Sequence, residues 1–411
     1  MSERSLRILM GIPFDLYYQP FTIRSIRFAE ELARRGHEVT VVYAPMREGR
    51  RGRAVRTSLP SSFRAIAFRM VREPGRWPEL SELVAAADVV HFQKCKPPMS
   101  WIVMGLARYH GKPLHQDWDD DELAFWRQAT LEAATNPDVP WTRRVPGTAR
   151  AAAVMTMSGA TEYVIPRLVD TVGGATASLR RMSLERGCAA GDIFPARVGV
   201  DADQFHPGRR DEALRRELGL AGPTIIYAGS FDVLPDLLFF VEALKVTFAQ
   251  VPSARCLVVG DGFGRRRFVR LLEEAGFGSR AVLTGGLVPF AEMPRYVASC
   301  DLAALPFRDT AINRSKSSLT LLECMASGLA VVTHDVGDTA WTLGGCGEVA
   351  RPDDARDFGA RMARLATDEA YRRSLGEKAR ERAAGNFSWE RSVDWLEEAY
   401  RRAMAKRRVP A

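Results

Sequence analysis

Lysine is scarce in this chain of 411 residues: of its 58 basic residues only Lys94, Lys96, Lys112, Lys245, Lys316, Lys378 and Lys406 are lysine, the rest being arginine. That bias is read as genomic. The 6 cysteines (Cys95, Cys188, Cys256, Cys300, Cys324, Cys346) are widely spread, without a Cys-x-x-Cys pair or a histidine at zinc-ligand spacing. A disulfide frame and a structural metal are therefore not expected, and a reducing cytoplasm fits best. No apolar run reaches membrane-spanning length, and Met1 to Arg7 leads straight into Ile-Leu-Met-Gly-Ile, so no signal peptide is expected. What is present, 46% apolar and 26% charged residues, describes a globular chain long enough for two domains of ordinary size. The net charge of +8 admits an acidic small molecule, a nucleic acid or an anionic membrane surface, and selects none of them.

Along the chain, short buried-type runs alternate with helical patterns. Arg7 to Met10 is closed by Gly11 and Pro13, a helical pattern runs from Phe28 to Arg35, and Glu38 to Tyr43 reads as the next strand. Ala87 to Phe92, a helical stretch from Met99 to Tyr109 and Lys112 to Leu114 continue the alternation, which is that of a doubly wound α/β domain. Two basic stretches stand out: the loop from Arg47 to Arg56, and Phe63 to Arg76, where arginines alternate with apolar residues as in a solvated edge or a membrane-surface element. Five further runs, beginning at Thr224, Arg255, Ala281, Leu302 and Leu329, make a second parallel sheet. The expected division is a Rossmann-like domain over 1–197, a second over 198–387, and a C-terminal segment, 388–411, whose amphipathic helix from Trp389 to Lys406 packs back on the first domain. Two such domains predict a ligand in a cleft at the carboxyl ends of their strands.

The order of motifs is more specific than the fold class. Arg34-Arg35-Gly36-His37-Glu38-Val39-Thr40-Val41, Val198-Gly199-Val200-Asp201 with Phe205 and Pro207, and Tyr227-Ala228-Gly229-Ser230 follow in sequence. Val259-Gly260-Asp261-Gly262, Thr284-Gly285-Gly286-Leu287, Ser299-Cys300-Asp301, Pro306-Phe307 and the run from Leu322 to Val332 complete the series. With this order and spacing the chain resembles the GT-B glycosyltransferases, in particular the retaining enzymes of family four, group 1, over nearly its whole length.

The stretch from Asn313 to Gly328 carries the chemistry. Ser315, Ser317 and Ser318 are helix-capping types placed just before the helical pattern Leu319 to Ala326, and free N–H groups at such a helix start form a phosphate site. Lys316 adds a point charge and Arg314 a bidentate one. Glu323, further along, suits a pair of vicinal hydroxyls; the resemblance implies that it holds the nucleotide's ribose. Gly11, Gly229, Ser230, Arg265, Leu287 and Leu319 are also expected on the donor.

The chain departs from the family pattern at four places. The first of the usual two glutamates is replaced by Ser315, and the bases that the family places after the glycine matching Gly229 are missing, Ser230 and Phe231 to Asp236 standing there. Compensation for the diphosphate charge is expected from Lys316, Arg314 and the Arg265-Arg266-Arg267 run behind Gly262-Phe263-Gly264. The Gly-Gly loop near the start appears as Gln19-Pro20 after Tyr17-Tyr18, which predicts a reshaped sugar entrance with Tyr17, Tyr18 and Gln19 on the acceptor. Lastly, Asp119 stands where several members have a histidine facing the reacting sugar, inside the acidic run Asp117-Trp118-Asp119-Asp120-Asp121-Glu122.

Carboxylates there could simply cap the helix expected near Leu123. The sharper expectation is that Asp119 and Asp120 bind or deprotonate a cationic acceptor, with Trp118 or Trp126 as a cation-π wall and His91 and Gln93 as secondary candidates. The function expected is transfer from a nucleoside diphosphate sugar, UDP- or GDP-linked, to a small, natural-product-type acceptor, cationic in the sharper form. Retention and no obligatory metal or other cofactor are what the resemblance implies. The alternatives are a lipid-linked or envelope acceptor with peripheral membrane contact, a GT-B epimerase or phosphorylase, and a degenerate binding protein. Nucleic-acid binding has no support, because the arginines are dispersed rather than gathered with stacking aromatics. Nothing in the sequence fixes an oligomeric state.

Overall fold

The computed structural model describes residues 4–19, 22–45, 55–56, 59–69, 72–135, 141–262 and 264–408. Most of the basic loop from Arg47 to Arg56, as well as Pro20 and Phe263, lies outside them. The chain divides into two compact units, one built from 1–52, 56–197 and 389–411, the other from 53–55 and 198–388.

The first unit holds a 7-stranded sheet. Its strands are β1 (Arg7–Ile12), β2 (Glu38–Tyr43), β3 (Arg64–Ala67), β4 (Val89–Gln93), β5 (Leu114–Trp118), β6 (Thr171–Gly174) and β7 (Ile193–Pro195). They lie in the order β3-β2-β1-β4-β5-β6-β7, all parallel, with Arg7 opposite Glu38 and Ile8 opposite Val89. A parallel sheet covered on both faces needs near-continuous apolar strands, and β4 and β5 are buried at every position. The core packs Leu9, Val90, Phe92 and Leu114 against Val103 and Ala107 of a helix, α2 (Met99–Tyr109).

The helix before β2, α1, spans Ile23–Arg34 and starts a turn and a half earlier than its apolar pattern suggests. Arg24 and Ser25 conceal that start, because both are buried yet polar. The long helix α9 (Trp389–Arg408) packs on this unit: Trp389 meets the Phe28 ring at 5.7 Å, and Arg35 reaches Glu397 at 2.8 Å. The basic stretch from Phe63 to Arg76 opens with a 4-residue edge strand, β3. Its Arg76 stacks over Phe68 at 4.3 Å and is held by Glu79 and Glu73.

The second unit has 6 parallel strands where five runs were expected. They are β8 (Thr224–Ala228), β9 (Arg255–Val259), β10 (Ala281–Leu283), β11 (Leu302–Leu305), β12 (Ala330–His334) and β13 (Glu348–Ala350), in the order β10-β9-β8-β11-β12-β13. The added strand β13 is only 3 residues long and begins with a charged residue, so it carries no apolar run. Glu348 is nonetheless buried, held by Arg361 and by the Tyr371 hydroxyl at 2.8 Å. Both units thus reverse strand order beside their first strand, as doubly wound sheets do. Among the described residues no helix is long and apolar enough to cross a membrane.

Candidate active site

In the C-terminal unit the loops that leave the strand ends pack backbone on backbone. A Cβ on Gly260, after β9, would lie 2.0 Å from the Gly229 carbonyl oxygen, and one on Gly264 would lie 2.4 Å from the Phe231 oxygen. Only glycine permits that approach. Ser230 donates to Asp232 at 2.6 Å, so the segment that replaces the family's bases is acidic. Arg265, at the start of the helix Arg265–Glu274, does not point a free fork outward. It donates to the Gly260 oxygen at 3.3 Å and the Thr284 oxygen at 3.0 Å, and so fixes the loop.

Of the three serines expected to cap the helix at Leu319, only Ser318 does so. It has extended backbone and accepts from the Leu321 N–H at 3.2 Å, at the head of α7 (Leu319–Ala326). Ser315 is turned inward, buried, and donates to the Ile312 oxygen at 2.8 Å because it ends a separate short helix, Ala311–Ser315. Ser317 accepts from the Val198 N–H at 3.3 Å. Arg314 is committed to an exposed ion pair with Asp309. Lys316 therefore stands as the base nearest the helix start among the expected ones, with Leu319 half-buried behind it and Glu323 buried one turn further on.

Lys316 is itself positioned by residues that the sequence reading missed. Its Nζ donates to Asn313 Oδ1 at 2.9 Å and lies 5.5 Å from the Phe307 ring centroid. Asn313 in turn donates to both Asp236 oxygens, at 3.0 and 2.9 Å, and Asp236 also accepts the Arg308 N–H at 3.1 Å. Burial pushes the Asp236 carboxyl up, against the pull of Lys316. An acidic residue in the first turn of the helix Leu234–Gln250 was the only hint of this network in the sequence. Leu287 is half-buried in the loop after β10.

In the N-terminal unit the acidic run is split between elements. Asp117 and Trp118 end β5, whereas Glu122 opens a helix, α3 (Glu122–Thr135). Asp117 is bound by Arg24, and Gln93 donates to Asp119 Oδ2 at 2.8 Å while accepting from Ser25 Oγ at 2.6 Å. Between the remaining carboxylates lies Lys94, which pairs with Asp120, with Glu122 at 2.9 Å and with Asp119 at 3.5 Å. Burial works against the Lys94 ammonium, but the three carboxylates hold its pKa well above the ordinary lysine value. Glu122, although burial would raise it, is held low by Lys94 and Lys96. The run is therefore partly compensated from within: the one Lys94 ammonium serves three of its carboxylates, and the group stays acidic.

Three expected acceptor-side groups are corrected. Trp118 offers no wall, since it is wholly buried, donates its indole N–H to the Asp120 oxygen at 2.9 Å and is covered by Arg186 at 4.6 Å. His91 has no open face either: it is buried, shares a hydrogen bond with the Tyr400 hydroxyl at 2.9 Å and packs on His115 at 5.3 Å. Burial drives its pKa down to about 3, so it is neutral. Gln93 is buried and acts on Asp119 rather than on solvent.

Trp126 is half-buried on α3 beside Phe125, at 5.6 Å, and Tyr17 is half-buried with its ring edge on Tyr43 at 6.1 Å. Tyr18 and Gln19 form a short extended segment whose side chains are outside the described set. Gly11 lies inside β1, where a Cβ would stand 3.2 Å from Val103, so packing against α2 accounts for it. Glu162, another residue the sequence did not single out, caps α3 from a distance. It accepts the Glu122 and Leu123 N–H groups at 2.8 and 3.1 Å, and burial raises its carboxyl to about 7.

A family model for glycosyl transferases group 1 matches residues 222–368, and one for Glycosyltransferase Family 4 matches residues 24–168. The D-inositol 3-phosphate glycosyltransferase of Rhodococcus opacus is 30% identical over 216 residues, covering 50% of this chain and 47% of that protein. That of Geodermatophilus obscurus is 33% identical, covering 49% and 45%. The aligned region thus spans about half the length of these relatives. Among solved structures, sucrose-phosphate synthase from Thermosynechococcus elongatus superposes with a TM-score of 0.68 at 19% identity, over 98% of this chain and 100% of that one. The Anabaena protein HepE, solved with UDP and glucose, gives 0.67 at 15% identity, over 96% and 98%. With two family models in chain order over two doubly wound sheets, this chain belongs to the group 1 glycosyltransferases of GT-B fold.

Proposed function

We propose that this chain transfers a glycosyl group from a UDP- or GDP-linked sugar to a hydroxyl of a small acceptor, with retention at the anomeric carbon and without an obligatory metal. The observation that carries the donor half is the Ser318-capped start of α7 with Lys316 beside it and Glu323 buried one turn on. Free N–H groups, the helix dipole and one ammonium suit a diphosphate, and a buried carboxylate suits ribose hydroxyls. That the related fold of HepE was solved with UDP supports the same donor class.

In this reading the bond from the anomeric carbon to the diphosphate breaks as the bond to the acceptor oxygen forms. The acceptor's proton passes to a phosphate oxygen of the leaving group. Lys316 and the α7 N-terminus stabilise the developing charge, a preorganised electrostatic effect. Asp119 and Asp120 serve the acceptor in this reading, with Lys94 offsetting part of their charge. An acceptor rich in hydroxyls, which carboxylates hold by accepting hydrogen bonds, is in keeping with relatives named for D-inositol 3-phosphate.

The test is a thermal-shift series with UDP and GDP, followed by incubation of the matching sugar donors with and without inositol phosphate. Binding raises the melting temperature by mass action. A shift with one nucleotide and glycoside formation only with acceptor supports the reading. Donor conversion without acceptor indicates an epimerase or phosphorylase instead, and the lack of any nucleotide shift indicates a binding protein.

A further inference from the structure

Lys94 is the residue around which the acidic loop is built. It follows β4 at φ 60, a left-handed backbone uncommon for a residue with a side chain, and its N–H donates to the Asp117 oxygen at 2.8 Å. The turn directs a buried side chain under the loop, 5.8 Å from the Phe14 ring centroid. There the ammonium serves Asp120 and Glu122 and stands 3.5 Å from Asp119 Oδ1.

Asp119 is held on its other oxygen by the Ser25-Gln93 relay, at 2.6 and 2.8 Å. Its Oδ1 is buried and has no hydrogen-bond donor among the described residues. Buried carboxylate oxygens are ordinarily hydrogen-bonded, and Oδ1, with only the Lys94 ammonium 3.5 Å away, keeps room for a closer donor.

We propose that Lys94 is a positioning residue for the transfer reaction, fixing Asp119 so that its Oδ1 accepts a hydrogen bond from the acceptor's reacting hydroxyl. The inference rests on the function proposed above. Without the ammonium, three carboxylates on one loop repel each other, and Asp119 loses the alignment that the Ser25-Gln93 relay supplies from one side only. The acceptor's proton still leaves to the donor phosphate; Asp119 orients the oxygen and keeps its own charge.

The test uses the full chain with donor and acceptor, wild type first. Lys94→Met is expected to lower kcat about a hundredfold, the cost of a misplaced reacting group. UDP or GDP affinity should stay within about threefold, because the residues proposed to hold the nucleotide belong to the other unit. In Lys94→Ala, ethylammonium at rising concentration is expected to restore kcat about tenfold and saturably, by refilling the ammonium position, with no effect on wild type. A Lys94→Met enzyme whose kcat stays within about threefold overturns the proposal, as does a loss in Lys94→Ala that ethylammonium leaves unchanged, which marks a structural role. A wild type that neither binds nucleotide nor consumes donor overturns the proposed function itself, and the role of Lys94 with it.

Discussion

Arg24 in α1 and Asp117 in β5 meet fork to fork inside the N-terminal unit: Nε donates to Oδ2 at 2.8 Å and Nη2 to Oδ1 at 2.7 Å, with 7% and 1% of the two side chains exposed. Arg24 also donates to the Ala196 oxygen, so one guanidinium joins a helix, a strand end and the segment just after β7. Removing one partner of a buried pair leaves an uncompensated charge. Arg24→Met and Asp117→Leu are each expected to cost about 3 to 5 kcal/mol in urea unfolding, and the double replacement less than the sum. Additive losses would show that the two side chains do not act as a pair.

His91, His115 and Tyr400 form a buried aromatic cluster with ring centroids 5.3 to 6.1 Å apart, joining β4 and β5 to α9. Burial lowers both histidines to about 3, with Arg24 adding to the effect on His91 and His91 to that on His115. Their unfolded pKa is higher, so the folded state binds fewer protons. The stability the two histidines contribute is complete above pH about 6.5 and falls as pH drops toward 3, by up to about 1.4 kcal/mol per pH unit per histidine, with the raised Glu162 acting in the opposite sense. Urea midpoints at pH 7.5 and 5.0 should show the loss, and His115→Gln should reduce the slope.

Gly260→Ala should damage the C-terminal unit selectively. Its Cβ would stand 2.0 Å from the Gly229 backbone oxygen, which cannot yield as a flexible side chain would, and 2.9 Å from the Phe231 ring. The loop after β8 must shift, so nucleotide affinity should fall about tenfold or more, given the cost of misplacing binding groups. Gly285→Ala, where a Cβ meets nothing within 4 Å, is the control expected to bind nucleotide normally. Calorimetric titration with UDP and GDP distinguishes the two.

The cap and the ammonium at α7 are separable. Ser318→Ala removes the bond to Leu321 N–H and should cost about 1 kcal/mol of stability. Lys316→Met removes a charge-assisted contact to the diphosphate and should weaken nucleotide binding by about 1.5 to 3 kcal/mol, near ten- to hundredfold. Equal nucleotide affinity in Lys316→Met and wild type would remove Lys316 from the donor site.

Much of the fold is legible in the chain because parallel strands buried on both faces must be apolar throughout. Thr224 to Ala228, Arg255 to Val259 and Glu38 to Tyr43 declare themselves that way, as does α7 by its serine and its apolar period. Glu348 to Ala350 does not, since a strand of 3 residues led by a paired glutamate has no periodicity to read. The start of α1 is hidden for the same reason: Arg24 and Ser25 are inside because Asp117 and Gln93 satisfy them.

The sequence by itself determined the two doubly wound sheets, the order of the glycine turns and the serine-capped helix beside Lys316, because these rest on local patterns of residue type. Only the tertiary structure decided what the charges do. A carboxylate run reads as an anionic surface until Lys94, 26 residues before Asp120, is seen pairing with it. Likewise Arg314 and Arg265 read as phosphate ligands until Asp309 and two carbonyls are seen to hold them. The scarce lysines matter through burial and partners: Lys94 and Lys316 lie within networks set by distant segments, and the Coulomb terms that fix their states depend on distances that residue order does not contain.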